Sequence, residues 1–331
     1  MVMKGIIAFS ITALVGVSSF AQFDVSGGPI NSTSPNVIDG VYIKSNIPTK
    51  RLIPYEHVRE ADVIWETRVW RTIDLREKIN HPLYYPFDEY DARNNWVKHP
   101  TRWSLWTVIK THVLKGDLIA YSPYNPLDFL ITDGDAFRYP ITPPPGKNFY
   151  NDEEFKDRLF FYFGSLGLQS DDPLKDQYGD DSIGADENFV YPERDTTWFM
   201  SKDIIQYKLK EDWFFDKERS VLDVRIMGLC PVVYSKSADG VIEGVRELFW
   251  LYFPQCRFVF NNYFAYNSKN DAMWFSFDDI FWKRQFNSTI IKASNVFDRN
   301  IETYKNGIDA LYESQRITEH IRVIEHDVWD F

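Results

Sequence analysis

The first strongly apolar stretch of the chain fits two kinds of element. An apolar residue occurs at every fourth position at Trp65, Val69 and Ile73, and Asp62 just before them is a typical helix cap. This pattern predicts a helix that begins at Asp62. Apolar and polar residues also alternate over residues 63–75, a pattern typical of a strand. The helix is the preferred interpretation, and the strand is its alternative.

Shorter apolar stretches farther along the chain favour strands. Residues 103–109 and 113–121 flank a Lys-Gly-Asp turn at 115–117, and this arrangement predicts a β-hairpin. Apolar stretches recur between residues 204 and 260, with another turn signal at 239–240, so they predict a second β-rich block.

A helical stripe runs through residues 298–328 and shifts phase once, which predicts one long C-terminal helix. About 30 residues of helix would span roughly 45 Å, more than a small domain needs, so part of the stripe should face another chain. The alternative is a helix folded over its own sheet. The residues expected at the partner-facing stripe, exposed in the isolated protein, are Ile317, Ile321 and Ile324.

These patterns predict an α+β fold of mixed helices and antiparallel β-hairpins, ending in a long C-terminal helix. Residues 62–65 (DVIW) are echoed by residues 279–282 (DIFW), which allows two related sub-domains. The predicted divisions are a signal peptide at 1–21, an extended arm at 22–50, a first α+β region at 51–142, a Pro-rich and acidic linker at 143–188, a second β-rich region at 189–297 and the C-terminal helix at 298–331.

The N-terminus has the features of an export signal. Lys4 precedes an apolar run at residues 5–17, and Ser19 and Ala21 place small residues where a signal peptidase cleaves, before Gln22. The run is shorter than the roughly 20 apolar residues that a membrane anchor needs. We therefore expect an exported protein with no direct membrane span.

The net charge and the aromatic content limit the classes of molecule that this protein is expected to bind. The net charge of −11 argues against nucleic acid and favours basic proteins. Aromatic residues make up 17% of the chain, a share that suits a large core, a protein interface or a carbohydrate site. Composition does not choose among these three.

The chain shows no arrangement typical of a catalytic or cofactor site. None of its six histidines is followed by another at the i+4 spacing of a helical metal site, and no Gly-rich phosphate loop is present. The acidic stretch 170–188 lacks the alternating carboxylates of calcium loops, which favours a solvated loop. We expect no enzyme activity, no cofactor and no metal ion.

The two cysteines leave a disulfide open. Cys230 and Cys256 lie in separate apolar runs, and an exported protein can form disulfides. Two buried thiols are the alternative. A hairpin centred on residues 239–240 would place Cys230 opposite a residue near Phe249, which counts against direct pairing.

Several motifs carry a family resemblance. They occur at residues 59–65 (READVIW), 69–80 (VWRTIDLREKIN), 82–86 (PLYYP), 228–231 (GLCP), 248–254 (LFWLYFP) and 278–281 (DDIF). In this order, from about residue 50 to 300, they resemble the GldN/PorN family of the Bacteroidetes type IX secretion and gliding motility machinery.

The resemblance implies a non-enzymatic periplasmic subunit. Such a subunit self-associates in a ring with an outer-membrane lipoprotein, through which it is held at the outer membrane, and contacts the periplasmic domain of the inner-membrane motor component. The alternative is a periplasmic carbohydrate-binding or glycan-processing protein. The candidate interface or core aromatics are Trp65, Trp70, Tyr84, Tyr85, Trp250 and Trp282.

Overall fold

The structure is a computed structural model that describes residues 51–91, 95–100, 102–125, 134–166, 173, 175, 196–236, 241–270, 273 and 275–329. The strands are β1 (Val63–Asp74), β2 (Glu89–Tyr90), β3 (Trp96–Val97), β4 (Ala120–Tyr121), β5 (Pro140–Ile141), β6 (Gly164–Leu166), β7 (Thr196–Trp198), β8 (Ile204–Asp216), β9 (Val221–Lys236), β10 (Ile242–Glu247), β11 (Trp250–Tyr252), β12 (Phe264–Ala265), β13 (Phe275–Ser276) and β14 (Thr289–Ala293). The α-helices are α1 (His81–Tyr84), α2 (Leu105–Lys115), α3 (Glu153–Phe163), α4 (Phe253–Phe260), α5 (Phe277–Trp282) and α6 (Ile308–Trp329).

One antiparallel sheet organises the described part of the chain. Its order is β14-β1-β8-β9-β11-β4-β5, and β10 pairs with the far end of β9. The long strands β8 and β9 pair from Asp216 opposite Val221 to Ile204 opposite Val233. The fold is therefore α+β with antiparallel pairing, as expected, and the proposed division at residues 143–188 stays a prediction.

Residues 63–74 form strand β1, so the helix predicted from Asp62 is wrong and its alternative is right. The strand pairs with β8 along nearly its whole length, with Val69 opposite Glu211. An interval of four keeps side chains on one face of a helix and also on one face of a strand, because four is a multiple of two. In this segment the spacing reflects the two-residue period of a strand.

The hairpin predicted at 103–121 is a helix followed by a short strand. Helix α2 begins after Ser104, whose Oγ accepts a hydrogen bond from the Thr107 amide at 3.2 Å. Gly116 ends the helix in the left-handed region at φ 87°. Nearly every residue of α2 is buried, so the periodicity that marks a surface helix is missing.

The two segments that echo each other differ in structure. Residues 63–65 begin strand β1, whereas residues 279–282 lie in helix α5. The threonines that follow them, Thr72 and Thr289, face each other across the β1–β14 pair. The echo therefore marks no repeated structural unit.

The main core lies between the sheet and the helices α2 to α5. Phe163 stacks on Phe249 with ring centroids 4.6 Å apart, and Trp106 packs beside both. The apolar run 248–260 supplies strand β11 and then helix α4, which Pro254 helps to start. Only the first part of that run is therefore strand.

This core encloses a lysine. Lys110 Nζ donates hydrogen bonds to Tyr90 Oη and to the Phe199 carbonyl, both at 2.9 Å, and lies 4.7 Å from the ring centroid of Trp96. Burial lowers the pKa of Lys110 from 10.5 to about 8. The neighbouring Lys98 has its pKa lowered to about 8 as well, again chiefly by burial.

Stability should therefore rise with pH between about 8 and 10. In this range the unfolded chain, in which lysine has its ordinary pKa, binds more protons than the folded chain. A Lys110→Met variant should show a smaller rise, whereas Lys156→Met, an exposed change on α3, should leave it intact. Urea titrations across this range measure the effect; equal slopes for all three proteins would refute it.

The C-terminal helix begins at Ile308, after Gly307, and not near residue 298. Its 22 residues span about 33 Å, less than predicted. It packs on the sheet face that carries Val69 and Ile290. No helix in the described ranges is long and apolar enough to cross a membrane.

The exposed stripe predicted on this helix is wrong. Ile321 is only 4% exposed, Ile317 packs against the same cluster and Ile324 is half-buried. The predicted stripe is therefore the side of α6 that faces its own sheet. The opposite side carries the exposed residues Ile308, Leu311 and Tyr312.

Candidate functional site

Histidine is the only side chain whose ordinary pKa lies near neutral pH, and it is the commonest metal ligand. Among the described residues, no group of three His, Cys, Asp or Glu side chains could hold a metal ion. His112 lies 2.6 Å from an Asp117 carboxylate oxygen and 2.8 Å from the Tyr263 hydroxyl. Tyr263 is buried, and burial also lowers the pKa of His112, so this trio ties the end of α2 to the turn that follows α4.

Two of the six candidate aromatics line a cleft of about 260 Å³ on one face of the sheet. Trp70 Nε1 donates to Asp135 at 2.8 Å, and Trp250 Nε1 donates to Glu247 at 3.0 Å. A lysine completes each set, with Lys210 Nζ 3.1 Å from Asp135 and Lys208 Nζ 2.8 Å from Glu247. The cleft thus repeats one arrangement of indole, carboxylate and ammonium.

The cleft does not offer a stacking platform for a sugar. Trp250 is buried, and the Trp70 ring is covered by Lys292, whose Nζ lies 4.5 Å from the ring centroid. Lys292 is in turn held by Asp298 at 2.6 Å. Because glycan binding uses an open aromatic face, this cleft does not support the carbohydrate alternative.

The paired tyrosines contact each other, with ring centroids 5.0 Å apart, but they differ in exposure. Tyr84 is half-buried and donates from its hydroxyl to the Lys202 carbonyl at 3.1 Å. Tyr85 is exposed and packs against His81 and Phe87, ahead of a cis bond to Pro86. Tyr84 therefore belongs to the subunit's own packing, and Tyr85 to its surface.

Trp65 and Trp282 also differ in exposure. Trp65 is half-buried against the cluster beneath α6. Trp282 is exposed along one side and stacks on Tyr55 with ring centroids 5.6 Å apart. The structure therefore does not bring the six aromatics into a single site.

Arg257 organises a group that we call the N-terminal clamp, formed by Tyr55, Arg257, Asp278 and Trp282. Arg257 is 2% exposed and donates to Asp278 at 2.8 Å and to the Ile53 carbonyl at 2.8 Å. Its guanidinium carbon lies 4.4 Å from the Tyr55 ring centroid and 4.7 Å from that of Trp282. The clamp holds the start of the described chain against α4 and α5.

Two further arginines reinforce this attachment. Arg225 on β9 lies over the Tyr55 ring and donates to the Glu56 carbonyl. Arg219 pairs with the Glu56 carboxylate at 2.6 Å. Sequence reasoning picked out Trp282 but missed Arg257, although Arg257 is the single charge in the apolar run 248–260.

Arg257→Ala should lower the free energy of unfolding by about 3 to 5 kcal/mol, because it leaves the Asp278 carboxylate buried without its partner. Arg316→Ala, which removes an exposed arginine from α6, is the matched control and should leave the free energy of unfolding unchanged. Chemical denaturation compares the two. An Arg257→Ala protein as stable as the control would show that the clamp is not a structural element.

The cysteines form no disulfide. Both thiols are free and buried, and burial raises the pKa of each. The register expected for Cys230 is confirmed, since Leu229 pairs with Leu251 and the Leu248 amide donates to the Pro231 carbonyl. Of the two possibilities that the sequence leaves open, the structure shows the two buried thiols, because Cys256 lies on helix α4 and not on a strand beside Cys230.

The profile of a protein family described as gliding motility associated protein GldN matches residues 58–330. No curated protein matches the chain. The matched range begins just after the clamp's Tyr55 and includes α6, so the C-terminal helix is part of the shared region although the motifs found in the sequence end near residue 300. Because the match covers most of the 331 residues, the chain belongs to the GldN family of gliding motility associated proteins.

Proposed function

We propose that this component of the gliding motility machinery is a non-catalytic structural subunit of a periplasmic ring that also serves type IX protein secretion. In this proposal the subunit self-associates, binds an outer-membrane lipoprotein that holds it at the outer membrane, and contacts the periplasmic domain of the inner-membrane motor component. The observation that carries the proposal is the family match over residues 58–330.

Two properties of the molecule support a structural role. In the cleft, the indoles of Trp70 and Trp250 and the ammonium groups of Lys208 and Lys210 all contact carboxylates, so these polar groups already have partners within the subunit. The surface also exposes large apolar side chains, among them Phe258, Tyr150 and Tyr85. Because aromatic residues are enriched at protein interfaces, these three side chains are candidates for contact with other subunits.

Export is tested by the mature N-terminus. The apolar run before Ala21 predicts cleavage at this position, so protein recovered from the periplasm should begin at or near Gln22. N-terminal sequencing reads this directly. Periplasmic protein that still begins at Met1 would refute the signal peptide.

Partner binding is tested by purification of a tagged chain from envelopes in mild detergent. The proposal predicts that an outer-membrane lipoprotein and the motor component are recovered with it in fixed ratio. A Tyr85→Ser variant and a Phe258→Ser variant probe the exposed aromatics without disturbing the core. A chain recovered alone, as a monomer, from envelopes that retain both other proteins would contradict the proposal.

A further inference from the structure

The two edges of the main sheet carry different surfaces. Helix α6 lies at one edge, where Ser314 Oγ accepts a hydrogen bond from the Ile290 amide of β14 at 2.9 Å. A groove lies at the other edge, beside Ile141 of β5. The strand order puts six intervals between β14 and β5, so the two edges are roughly 29 Å apart. Each surface can therefore contact a different neighbour.

The outer side of α6 begins with three exposed apolar side chains. We call them the α6 face; its members are Ile308, Leu311 and Tyr312. Their i, i+3, i+4 spacing places them side by side on the helix. Asp309 lies one turn before Tyr312 and is also exposed. The helix as a whole, residues 308–329, contains five carboxylates and two arginines, so the α6 face belongs to an acidic helix.

The groove at the opposite edge is apolar and has a volume of about 190 Å³. Its apolar walls include Leu114, Leu118, Ile119, Ile141, Phe149 and Phe155. A cavity of about 150 Å³ can hold a benzene molecule, so this groove can accept one aromatic side chain.

The charged residues that line the groove are lysines. Lys147 Nζ lies 3.2 Å from an Asp152 carboxylate oxygen. Lys115 is exposed at the end of α2, next to Gly116. A partner that fits this groove should therefore present an apolar side chain beside a negative charge, which is the chemistry of the α6 face.

We propose that the α6 face of one subunit docks in the groove of a second copy, with the Tyr312 ring in the groove and Asp309 beside Lys115. This inference rests on the self-association proposed above and assigns the two surfaces that meet. An amphipathic helix in an apolar groove is a common mode of protein recognition. The Asp309 and Lys115 charges at the rim then set the orientation of the helix.

This contact leads to a repeating assembly. The α6 face and the groove are different surfaces at opposite edges of the sheet, so their contact is heterologous. Each subunit then offers its groove to one neighbour and its α6 face to the other. Heterologous contacts of this kind produce closed rings when the rotation between neighbours permits.

Cysteine cross-linking of the full chain in envelopes tests the contact. Ile308→Cys, on the α6 face, is combined with Pro143→Cys or Lys147→Cys in the groove, and a short bismaleimide joins accessible thiols. The native cysteines are buried, which protects them from the reagent. The control replaces Ile308→Cys with Val245→Cys, an exposed position on β10.

The proposal predicts a ladder of multimers from the double variant and no ladder from the control. Either single variant alone should stay monomeric, and the two single variants expressed together should give dimers and nothing larger. A ladder of equal strength from the control would overturn the proposal. Dimers from one single variant alone would overturn it as well, because they would mean that a surface meets its own copy.

A charge reversal tests the proposed orientation. Asp309→Lys should lower the ladder yield by up to about fivefold, the effect that an exposed ion pair supports, and Lys115→Glu in the same chain should restore it. A yield that Lys115→Glu does not restore would contradict the pairing of these two residues.

An amine-reactive cross-linker on the same envelopes reports self-association itself. Multimers with this reagent, without a ladder from the cysteine pair, would overturn the α6 contact and leave the ring intact. Single copies with both reagents would refute the ring and the contact together.

Discussion

Replacing Glu211 with alanine should lower the free energy of unfolding by about 3 to 5 kcal/mol, a large fraction of the total for an ordinary domain. Glu211 is fully buried on β8 and joins two arginines. One carboxylate oxygen lies 2.9 Å from Arg284 Nη1, and the other lies 3.0 Å from Arg71 Nε and accepts from Trp213 Nε1 at 3.1 Å. Without the carboxylate, both guanidinium groups lose their counter-charge in a site with little water.

Urea denaturation measures this loss. Glu211→Gln keeps the shape of the side chain but removes its negative charge. It should also destabilise the protein, because a neutral amide cannot neutralise the two arginines. Glu319→Ala removes an exposed glutamate that pairs with Arg322 on α6, and it should leave the unfolding curve unchanged. A Glu211→Ala protein with the same urea midpoint as the parent would mean that water solvates the two arginines well enough without the carboxylate.

Deleting residues 315–331 should make the protein unfold or aggregate. The deletion removes Ile317 and Ile321 and so uncovers the cluster that contains Val69, Ile290 and Ile301. Each buried isoleucine typically contributes about 2 to 5 kcal/mol when truncated to alanine, so losing the helix exceeds what a marginally stable fold tolerates.

Point substitutions separate the two sides of α6. Ile321→Ala, on the buried side, should cost about 2 to 5 kcal/mol, whereas Val323→Ala, at an exposed position of the same helix, should cost far less. Thermal melts of the two variants give the comparison. A truncated chain that keeps the parent's melting temperature and loses only its partners would show instead that α6 is a docking element.

Sequence periodicity favours a helix over the residues of β1, wrongly, because their spacing satisfies two rules at once. Trp65, Val69 and Ile73 share a face at intervals of four in a helix and in a strand, so the pattern could not choose. The choice depends on β8 and β14, which pair with both edges of β1 and lie far away in the sequence.

The sequence predicts a hairpin where helix α2 lies for a different reason. Burial on all sides erased its amphipathic period, and the Lys-Gly-Asp sequence that reads as a turn is the point where Gly116 ends the helix. Ser104 is the local signal that could have identified it, because serine caps helix N-termini.

The candidate site was predictable in part. The motifs that carry the family resemblance contain Trp70, Trp250 and Asp278, which the structure places in the cleft and the clamp. Which face of α6 is buried was not predictable, since an apolar stripe does not say whether its own sheet or another chain covers it. That depends on long-range packing.

The shape of the native complex shows directly whether this GldN family member is a structural subunit of a ring. Electron microscopy of the complex purified through a tagged chain from detergent-extracted envelopes should show closed rings that contain many copies of the chain. A homogeneous preparation of single copies, from envelopes that still secrete and glide, would contradict the account.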